Sequence, residues 1–326
     1  MIDQFLSERY GANSADLISI SEGFHNTVFS SGQTIFRITK GNRRNREDVE
    51  SELELLYRLR EQAVSVSTPN RSVNGNLIEE FSLENTKEYV VAFEKANGMP
   101  PDVTNPKVWN KNLFFQWGKE VGKIHRCTKN IRLARPIWTS KHPDLLNLSN
   151  RIRSSRIFER YEQLLNTLMN YRCDPELFGL IHNDCHQGNF FVENGKVTFF
   201  DFDDSAYHWF AYDMAVSFYH AYWQTTSFSP EFTNFSSVFW QYFLKGYSEE
   251  QTLKKELIEQ IPIFLKIREI YLYVLFLEKW DLTYLEGWQS HTLAKLEKNI
   301  ESGKPYSNFD FSTINQEWID NLSSLE

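Results

Sequence analysis

The sequence predicts an α+β chain in two parts: a small antiparallel β sheet with one helix over residues 1–95, and a larger, mainly helical part over residues 96–326. Three observations carry this. Short apolar runs at Leu17–Ile20, Thr27–Phe29 and Thr34–Thr39 follow one another across polar turns, as in an antiparallel sheet. The apolar strand Glu88–Glu94 runs into Lys95-Ala-Asn-Gly-Met-Pro-Pro101, where loss of periodicity, a glycine and two prolines mark a linker. Beyond it, Trp109, Leu113, Trp117, Val121 and Ile124 recur at the three-to-four spacing of a helix with one apolar face.

The remaining elements follow in order. Ile2–Tyr10 reads as a short helix ended by Gly11. Asn45–Glu61 reads as a helix whose apolar face is Val49, Leu53, Leu56 and Leu59, with Glu50, Glu52 and Glu54 near its start. Thr68-Pro69 marks a break, and Val73-Asn-Gly-Asn-Leu-Ile78 carries a hairpin signal. Arg151–Tyr171 is helical, with Ile157, Tyr161, Leu164, Leu165 and Leu168 on one side. Phe190–Val192 and Val197–Phe200 flank Glu193-Asn-Gly-Lys196 as a buried hairpin. From Met214 to about Trp288 the spacing gives successive helices, including Phe235–Gly246, Glu249–Lys266 and Ile267–Asp281.

A chain of 326 residues with 41% hydrophobic and 15% aromatic residues can build a sizeable core in each part. A net charge of −8 argues against a general nucleic-acid binder and suits a cationic or polyol partner. Three cysteines, an odd number without regular spacing, point to a reducing compartment and no disulfide framework. Met1–Tyr10 has neither a basic start nor a long apolar core, so no secretion signal is expected. The longest apolar run, Ile270–Leu277, is far too short to span a membrane. A soluble cytoplasmic protein, with no nucleic-acid or membrane partner, is the expectation.

The chemistry concentrates in Leu180-Ile-His-Asn-Asp-Cys-His-Gln-Gly-Asn-Phe-Phe191 and Val197-Thr-Phe-Phe-Asp-Phe-Asp-Asp204. Asp184 and Asn189 lie on a polar loop between two apolar runs, read as non-helical because Gln187 and Gly188 interrupt them. The hairpin delivers Asp201 at a strand end. A carboxylate able to take a proton, an amide oxygen and a second carboxylate suit phosphoryl transfer, because Mg²⁺ prefers oxygen ligands and the attacking hydroxyl needs one nearby base. A lone Asp or Asn in a loop is usually a turn residue, but six polar positions in order are poorly explained that way. His182, Cys185 and His186 also invite a zinc reading. Structural zinc takes a second ligand pair downstream, and none is evident, since Cys127 and Cys173 stand alone.

The order His-x-Asp-x-x-x-x-Asn, then Asp-Phe-Asp, resembles the catalytic and metal loops of the aminoglycoside phosphotransferase and choline kinase-like family, the small-molecule branch of the protein-kinase fold. The resemblance implies a protein-kinase-like, two-lobed fold and transfer of the γ-phosphoryl of ATP to a small-molecule hydroxyl, with ATP and Mg²⁺ as cofactors. Acceptors in that family include aminoglycosides, amino alcohols, homoserine and sugars. It implies that Asp184 orients or deprotonates the hydroxyl and that Asn189 and Asp201 hold the metal. The loop Ser21–Asn26 falls at the place of the phosphate-covering loop, with one glycine and not three, and the backbone of Gly23, Phe24, His25 and Asn26 is expected to face phosphate. Where protein kinases carry a strand lysine, this chain has Arg37, which keeps the charge and adds a fork. Glu52 is expected to pair with it. Adenine is expected against the backbone of Phe93, Glu94 and Lys95.

Gly122-Lys-Ile-His-Arg126 resembles the family's Gly-x-x-hydrophobic-His turn, which makes His125 structural. Ala206–Ala215 resembles the family's phrase opening a helix whose acid braces the catalytic loop, so Asp213, with His182, takes a supporting role. Asp203 or Asp204 is expected at a second metal ion or at the acceptor. Tyr219, Tyr222, Trp223, Trp280 and Trp288 read either as plain core or as an acceptor pocket. Glu278 and Asp281 beside them would seat an amine through charge and cation–π contact. Two rivals remain: a bacterial Ser/Thr protein kinase of this fold, which would carry an activation segment before an Ala-Pro-Glu phrase that is not found, and a non-catalytic relative, which would have lost Asp184 or Asp201.

Overall fold

A computed structural model describes residues 2–22, 26–83, 86–138, 152 and 154–322. The chain forms two compact units, and both are discontinuous in sequence. The first comprises Met1–Met99, Arg132–Arg135 and Phe190–Asp203; the second comprises Pro100–Ile131, Pro136–Asn189 and Asp204–Glu326. Sequence periodicity suggested one division near residue 95, but it could not show two later segments joining the first unit.

In the first unit, α1 (Ile2–Tyr10) stops where Gly11 takes a φ of +68°, a left-handed conformation open to glycine. Its Leu6 is buried with Phe36, Ile38, Val90 and Ala92 of the sheet. The sheet has the order β1 (Ile18–Glu22), β2 (Thr27–Ser31), β3 (Thr34–Lys40), β6 (Thr86–Glu94), β4 (Pro69–Asn70), all antiparallel. β5 (Glu79–Leu83) also pairs with β6. The Asn74-Gly75 signal is therefore a turn between two strands that both bond β6, and not the tip of a ladder; local turn chemistry cannot tell the two apart. β3 lies inside the sheet, between β2 and β6.

α2 (Arg46–Glu61) is capped by Asn45, which exchanges bonds with Asp48, a reciprocal capping box. It buries the expected Val49, Leu53, Leu56 and Leu59, and with them Glu52. The hairpin of Phe190–Glu193 and Lys196–Phe199 turns at Asn194 and Gly195, with φ of +50° and +80°, as the Asn-Gly pair predicts. It is bound to the rest of the unit by backbone bonds from Phe199 N to Ser65 O and from Ser67 N to Phe199 O, both 2.9 Å.

In the second unit, the helices among the described residues are α3 (Lys111–Thr128), α4 (Ser155–Leu168), α5 (Phe210–Phe228), α6 (Phe235–Ser248), α7 (Lys255–Lys279), α8 (Gly287–Ser302) and the short α9 (Gln316–Asp320). α4 is shorter than the expected Arg151–Tyr171, whose first residue lies outside the described residues. The two helices expected over 249–281 are replaced by a single one of 25 residues, α7, with Pro262 inside it. Proline removes one N–H from the ladder, but buried Ile258, Ile261, Leu265 and Ile270 hold the helix to the core on both sides of it. α3 and α6 approach closely because Gly118 and Gly246 face the partner backbone: a Cβ on either would overlap the carbonyl of Phe243 or Phe115. A two-stranded ladder, Phe178–Ile181 with Ala206–Trp209, leads directly into the loop at 182 and into α5. No helix among the described residues is long and apolar enough to cross a membrane.

Candidate active site

The loop 182–189 is held from below by Asp213, in the first turn of α5 and fully buried. Its Oδ1 accepts from Asn183 N at 2.8 Å; its Oδ2 accepts from His182 N at 3.0 Å and lies 3.1 Å from His125 Nε2. These bonds give the amides of His182 and Asn183 a charged acceptor. His125 also reaches the Tyr247 hydroxyl at 3.0 Å and stacks on Phe210. Burial pushes its pKa down, against the pull of Asp213. His125, His182 and Asp213, expected in supporting roles, meet at this one carboxylate. Asn183 has a φ of +72°, which asparagine tolerates better than most residues.

Cys185 is buried, its carbonyl accepts from Ser217 Oγ at 2.6 Å, and burial pushes its thiol pKa well up. It is not a ready thiolate. Among the described residues, the acid and imidazole ligand atoms that approach one another closely enough for an ion are those of Asp184, His186 and His220, without Cys185 or His182. The zinc reading built on His182, Cys185 and His186 therefore falls away.

Asp184 is half-buried and surrounded by donors. Oδ1 accepts from Arg268 Nη2 at 2.5 Å; Oδ2 accepts from Asn189 Nδ2 at 3.0 Å and lies 3.2 Å from His186 Nε2. His186 Nδ1 accepts from Gly188 N at 3.0 Å, so Nε2 is the nitrogen that can donate to Asp184. His186 stacks on His220 at 4.4 Å, and His220 Nε2 accepts from Arg268 at 2.9 Å. Burial and the charges of His186 and Arg268 push the His220 pKa well below the usual imidazole range. Arg268 fills the space between Asp184 and His220 that a metal ion would need. Burial of Asp184 disfavours its charge, yet His186 and Arg268 outweigh it and hold the carboxyl well below the usual range. The sequence suggested a carboxylate able to take a proton. In the structure it is a carboxylate already met by three donors, Arg268, Asn189 and His186.

The loop carries one 3₁₀ turn, Gln187–Asn189, where no helical turn was expected; Asn189 N closes it on His186 O at 2.9 Å. Asn189 Nδ2 donates to both the carbonyl and the carboxylate of Asp184. Its amide oxygen is the end left to face a cation.

In the first unit, Arg37 and Glu52 form a buried two-pronged pair at 2.7 and 2.6 Å. Burial disfavours the Arg37 charge, but Glu52 outweighs it and raises the guanidinium pKa. Arg37 also lies over the Phe93 ring at 5.1 Å and 3.6 Å from Asp201 Oδ1. It is an interior strand residue, not a surface arginine. Asp201 is exposed and has a φ of +63°. Asp203 is only 4% exposed. Arg43 donates to it, as do Arg44 Nε at 3.2 Å and Asn26 Nδ2 at 3.1 Å. Burial works against its ionisation, and Arg37, Arg43 and Arg44 overcome that, holding the carboxyl far below its usual range. Asp203 was expected at a second metal ion or at the acceptor; its carboxylate is instead consumed by two arginines and an amide. Asp204 is half-buried and belongs to the second unit.

Gly23, Phe24 and His25 lie outside the described residues. At the expected adenine stretch, Glu94 N donates to Thr68 O and Lys95 N to Gln33 O, both at 2.9 Å. Those two amides are used within the protein, so adenine there would be met by other backbone groups near Phe93. Glu278 and Asp281 are both exposed, and Asp281 bonds Thr283 N and Oγ1 as a turn residue. Tyr219 is core, stacked on Tyr306 at 4.0 Å, and Tyr222 packs against Phe218 and Tyr306. Trp223, Trp280 and Trp288 belong to a series of rings: His220–Trp223 at 6.4 Å, Trp223–Phe276 at 6.1 Å, Phe276–Trp280 at 4.3 Å and Trp280–Trp288 at 5.3 Å, ending on a half-exposed Trp288.

Sequence reasoning missed Arg268, His220, Arg43, Arg44 and Arg135. A signal existed for Arg268: with Glu269 it interrupts the apolar face of a helix, at positions 6% and 0% exposed, where unpaired charge is costly. For the others the pairing is too distant in sequence to be read.

The sequence profile of the phosphotransferase enzyme family matches residues 16–249. The chain belongs to this family. The phosphotransferase is 32% identical over 286 residues to the amicoumacin kinase of Bacillus subtilis (strain 168), covering 86% of this chain and 84% of that one. A solved amicoumacin kinase in complex with AMP-PNP, Ca²⁺ and Ami superposes with a TM-score of 0.87 at 28% identity, covering 97% of this chain and 96% of its own. A microcompartment-associated aminopropanol kinase gives a TM-score of 0.72 at 18% identity, with 92% and 94% covered, and shows a shared fold. The phosphotransferase is an ATP-dependent small-molecule kinase of protein-kinase-like α+β fold that uses a divalent cation. The Asn189 amide oxygen and the Asp201 carboxylate are each the kind of hard oxygen donor that Mg²⁺ takes.

Proposed function

We propose that this phosphotransferase passes the γ-phosphoryl group of ATP to a hydroxyl of amicoumacin or of a molecule close to it. The observation that carries the reaction type is Asp184, an ionised carboxylate fixed by Arg268, His186 and Asn189 on a loop braced by Asp213. The acceptor assignment rests on the 32% identity to an amicoumacin kinase over most of both chains. The rings from His220 to Trp288 suit an acceptor whose far end is planar and apolar.

Residues 1–95 are assigned nucleotide binding, and residues 96–326 acceptor binding and chemistry. Asp184 accepts the hydrogen bond of the acceptor hydroxyl and aims its oxygen at phosphorus. Asn189 and Asp201 hold Mg²⁺, which when bound draws charge from the phosphoryl oxygens. Arg37, fixed by Glu52, meets the phosphates, with the backbone of Gly23, Phe24, His25 and Asn26 covering them. Adenine lies along Phe93, Glu94 and Lys95.

ADP release is measured with amicoumacin, aminopropanol, choline and kanamycin, with and without Mg²⁺. Mg²⁺-dependent turnover above background with amicoumacin is expected; none with it, beside turnover with another acceptor, overturns the assignment. Phosphoryl transfer is catalysed almost entirely by positioning and by stabilising the charge spread over the phosphoryl oxygens, and the cation meets that charge directly. Asp201→Ala therefore loses more activity than Asp184→Asn, and equal residual rates contradict that ordering.

A further inference from the structure

Asp201 stands in a backbone conformation that a residue with a Cβ rarely adopts, at a φ of +63°. Such a conformation costs about 1 kcal/mol or more and persists only where the surroundings over-determine it. The surroundings are two residues away. Asp203 is gripped by Arg43, by Arg44 Nε at 3.2 Å and by Asn26 Nδ2 at 3.1 Å, and Arg43 also lies 3.5 Å from Asn26 Oδ1. Arg135, from the separate segment Arg132–Arg135, donates to Asp203 O at 2.5 Å and to Phe202 O at 3.4 Å, while its other nitrogen donates to Asp48 O at 2.9 Å. Side chain and backbone at 203 are thus fixed from several elements at once, with Phe202 fully buried between.

We propose that Asp203 is a positioning residue: clamped by Arg43, Arg44 and Asn26, it fixes the turn that presents the Asp201 carboxylate to the divalent cation, without binding that cation itself. Both oxygens of the Asp203 carboxylate already accept from Arg43, Arg44 or Asn26, and a divalent ion on the same oxygens would have to displace donors already in place. The clamp also ties the end of the Ser21–Asn26 loop to the metal turn through Asn26, so the groups assigned to phosphate and to metal share one anchor. The proposal rests on the assignment of Asp201 to the cation.

The test follows Mn²⁺ binding by electron paramagnetic resonance in the presence of AMP-PNP, together with AMP-PNP binding by calorimetry without metal. Residues that orient a ligand from behind typically change metal affinity by about 10–100-fold. Asp203→Asn is expected to weaken Mn²⁺ binding by about tenfold or more and to leave metal-free AMP-PNP binding close to that of the wild type. The double variant Arg43→Gln with Arg44→Gln separates the clamp from a direct ligand. It releases the Asp203 carboxylate, so Mn²⁺ binding weakens if Asp203 positions and strengthens if Asp203 binds the ion, and the second result overturns the proposal. Wild-type Mn²⁺ affinity in Asp203→Asn also overturns it, as does an equal loss of metal-free nucleotide binding. If Asp203→Asn does not fold, Arg135→Gln, which loosens the same turn from its backbone side, is expected to show the metal defect; wild-type affinity there would refute it. Asp201→Ala is measured alongside: if it binds Mn²⁺ normally, the assignment of Asp201 fails, whereas its loss beside a normal Asp203→Asn sinks only the positioning role.

Discussion

Arg37 and Glu52 show at the residue scale what an arginine does where protein kinases keep a lysine. Both Glu52 oxygens are taken by the fork, at 2.7 and 2.6 Å, inside the sheet. A lysine would make one such bond and leave the other oxygen buried without a partner. Arg37→Lys is accordingly expected to raise the KM for ATP several-fold, checked by steady-state kinetics. Breaking a buried pair by removing one charge typically costs about 3 kcal/mol or more, so Glu52→Gln should lower the unfolding free energy by about that much in denaturant titrations. Both residues were visible in the sequence because each lies on an element whose period is readable, and the resemblance joined them. Asp184, Asn189, Asp201 and Asp213 were singled out by the order of their polar motifs and the resemblance those motifs carry, not by a period. The state of Asp184 was not visible. It is set by His186, two positions on, whose ring orientation no sequence shows, and by Arg268, 84 positions away, on a helix whose apolar pattern hides its inward-facing charges. Asp203 was misjudged likewise, since its partners Arg43 and Arg44 are 160 and 159 positions off.

At the scale of elements, local signals succeeded where one side of the chain decides the outcome. The Gly11 stop and the Asn194-Gly195 turn fell where the sequence placed them, and the helix expected from Asn45 begins one residue later, with Asn45 as its cap. They failed where a partner decides. Asn74-Gly75 joins strands that both pair with β6, and α7 continues past Pro262 because its buried face does. The approach of α3 and α6 is the sharpest case of dependence on a partner, because Gly118 and Gly246 each meet a carbonyl of the other helix. Inserting a methyl group into such a contact costs typically about 1–3 kcal/mol. Gly118→Ala and Gly246→Ala are each expected to lose that much stability, seen as a lower thermal midpoint. Because the glycines serve the same contact, their double variant should be less damaging than the sum.

For the whole molecule, stability should depend on pH through buried imidazole. Burial holds His125 below its ordinary pKa, while the unfolded chain titrates near 6.5. The unfolded state therefore binds more protons as pH falls through about 6.5, and stability drops in that direction. Between pH 7.5 and 5.5 His125 therefore lowers stability as protons are added, and His220 acts in the same sense. His125→Gln is expected to be less stable at pH 7.5 but to show a shallower slope, measured by chemical unfolding across that range. At this scale the sequence revealed both the sheet-bearing and the helical parts, because each has its own period. It did not reveal that Arg132–Arg135 and Phe190–Asp203 join the first, since no local period encodes such a return. That return affects how the polypeptide is made. A ribosome releases the strands of the first unit early, yet the hairpin that bonds Ser65 and Ser67 emerges only after Phe199 has been translated. The nascent sheet must wait, with those edge groups uncovered, through the synthesis of some hundred residues of the second unit, and a fragment cut at Met99 would be released in the same unfinished state.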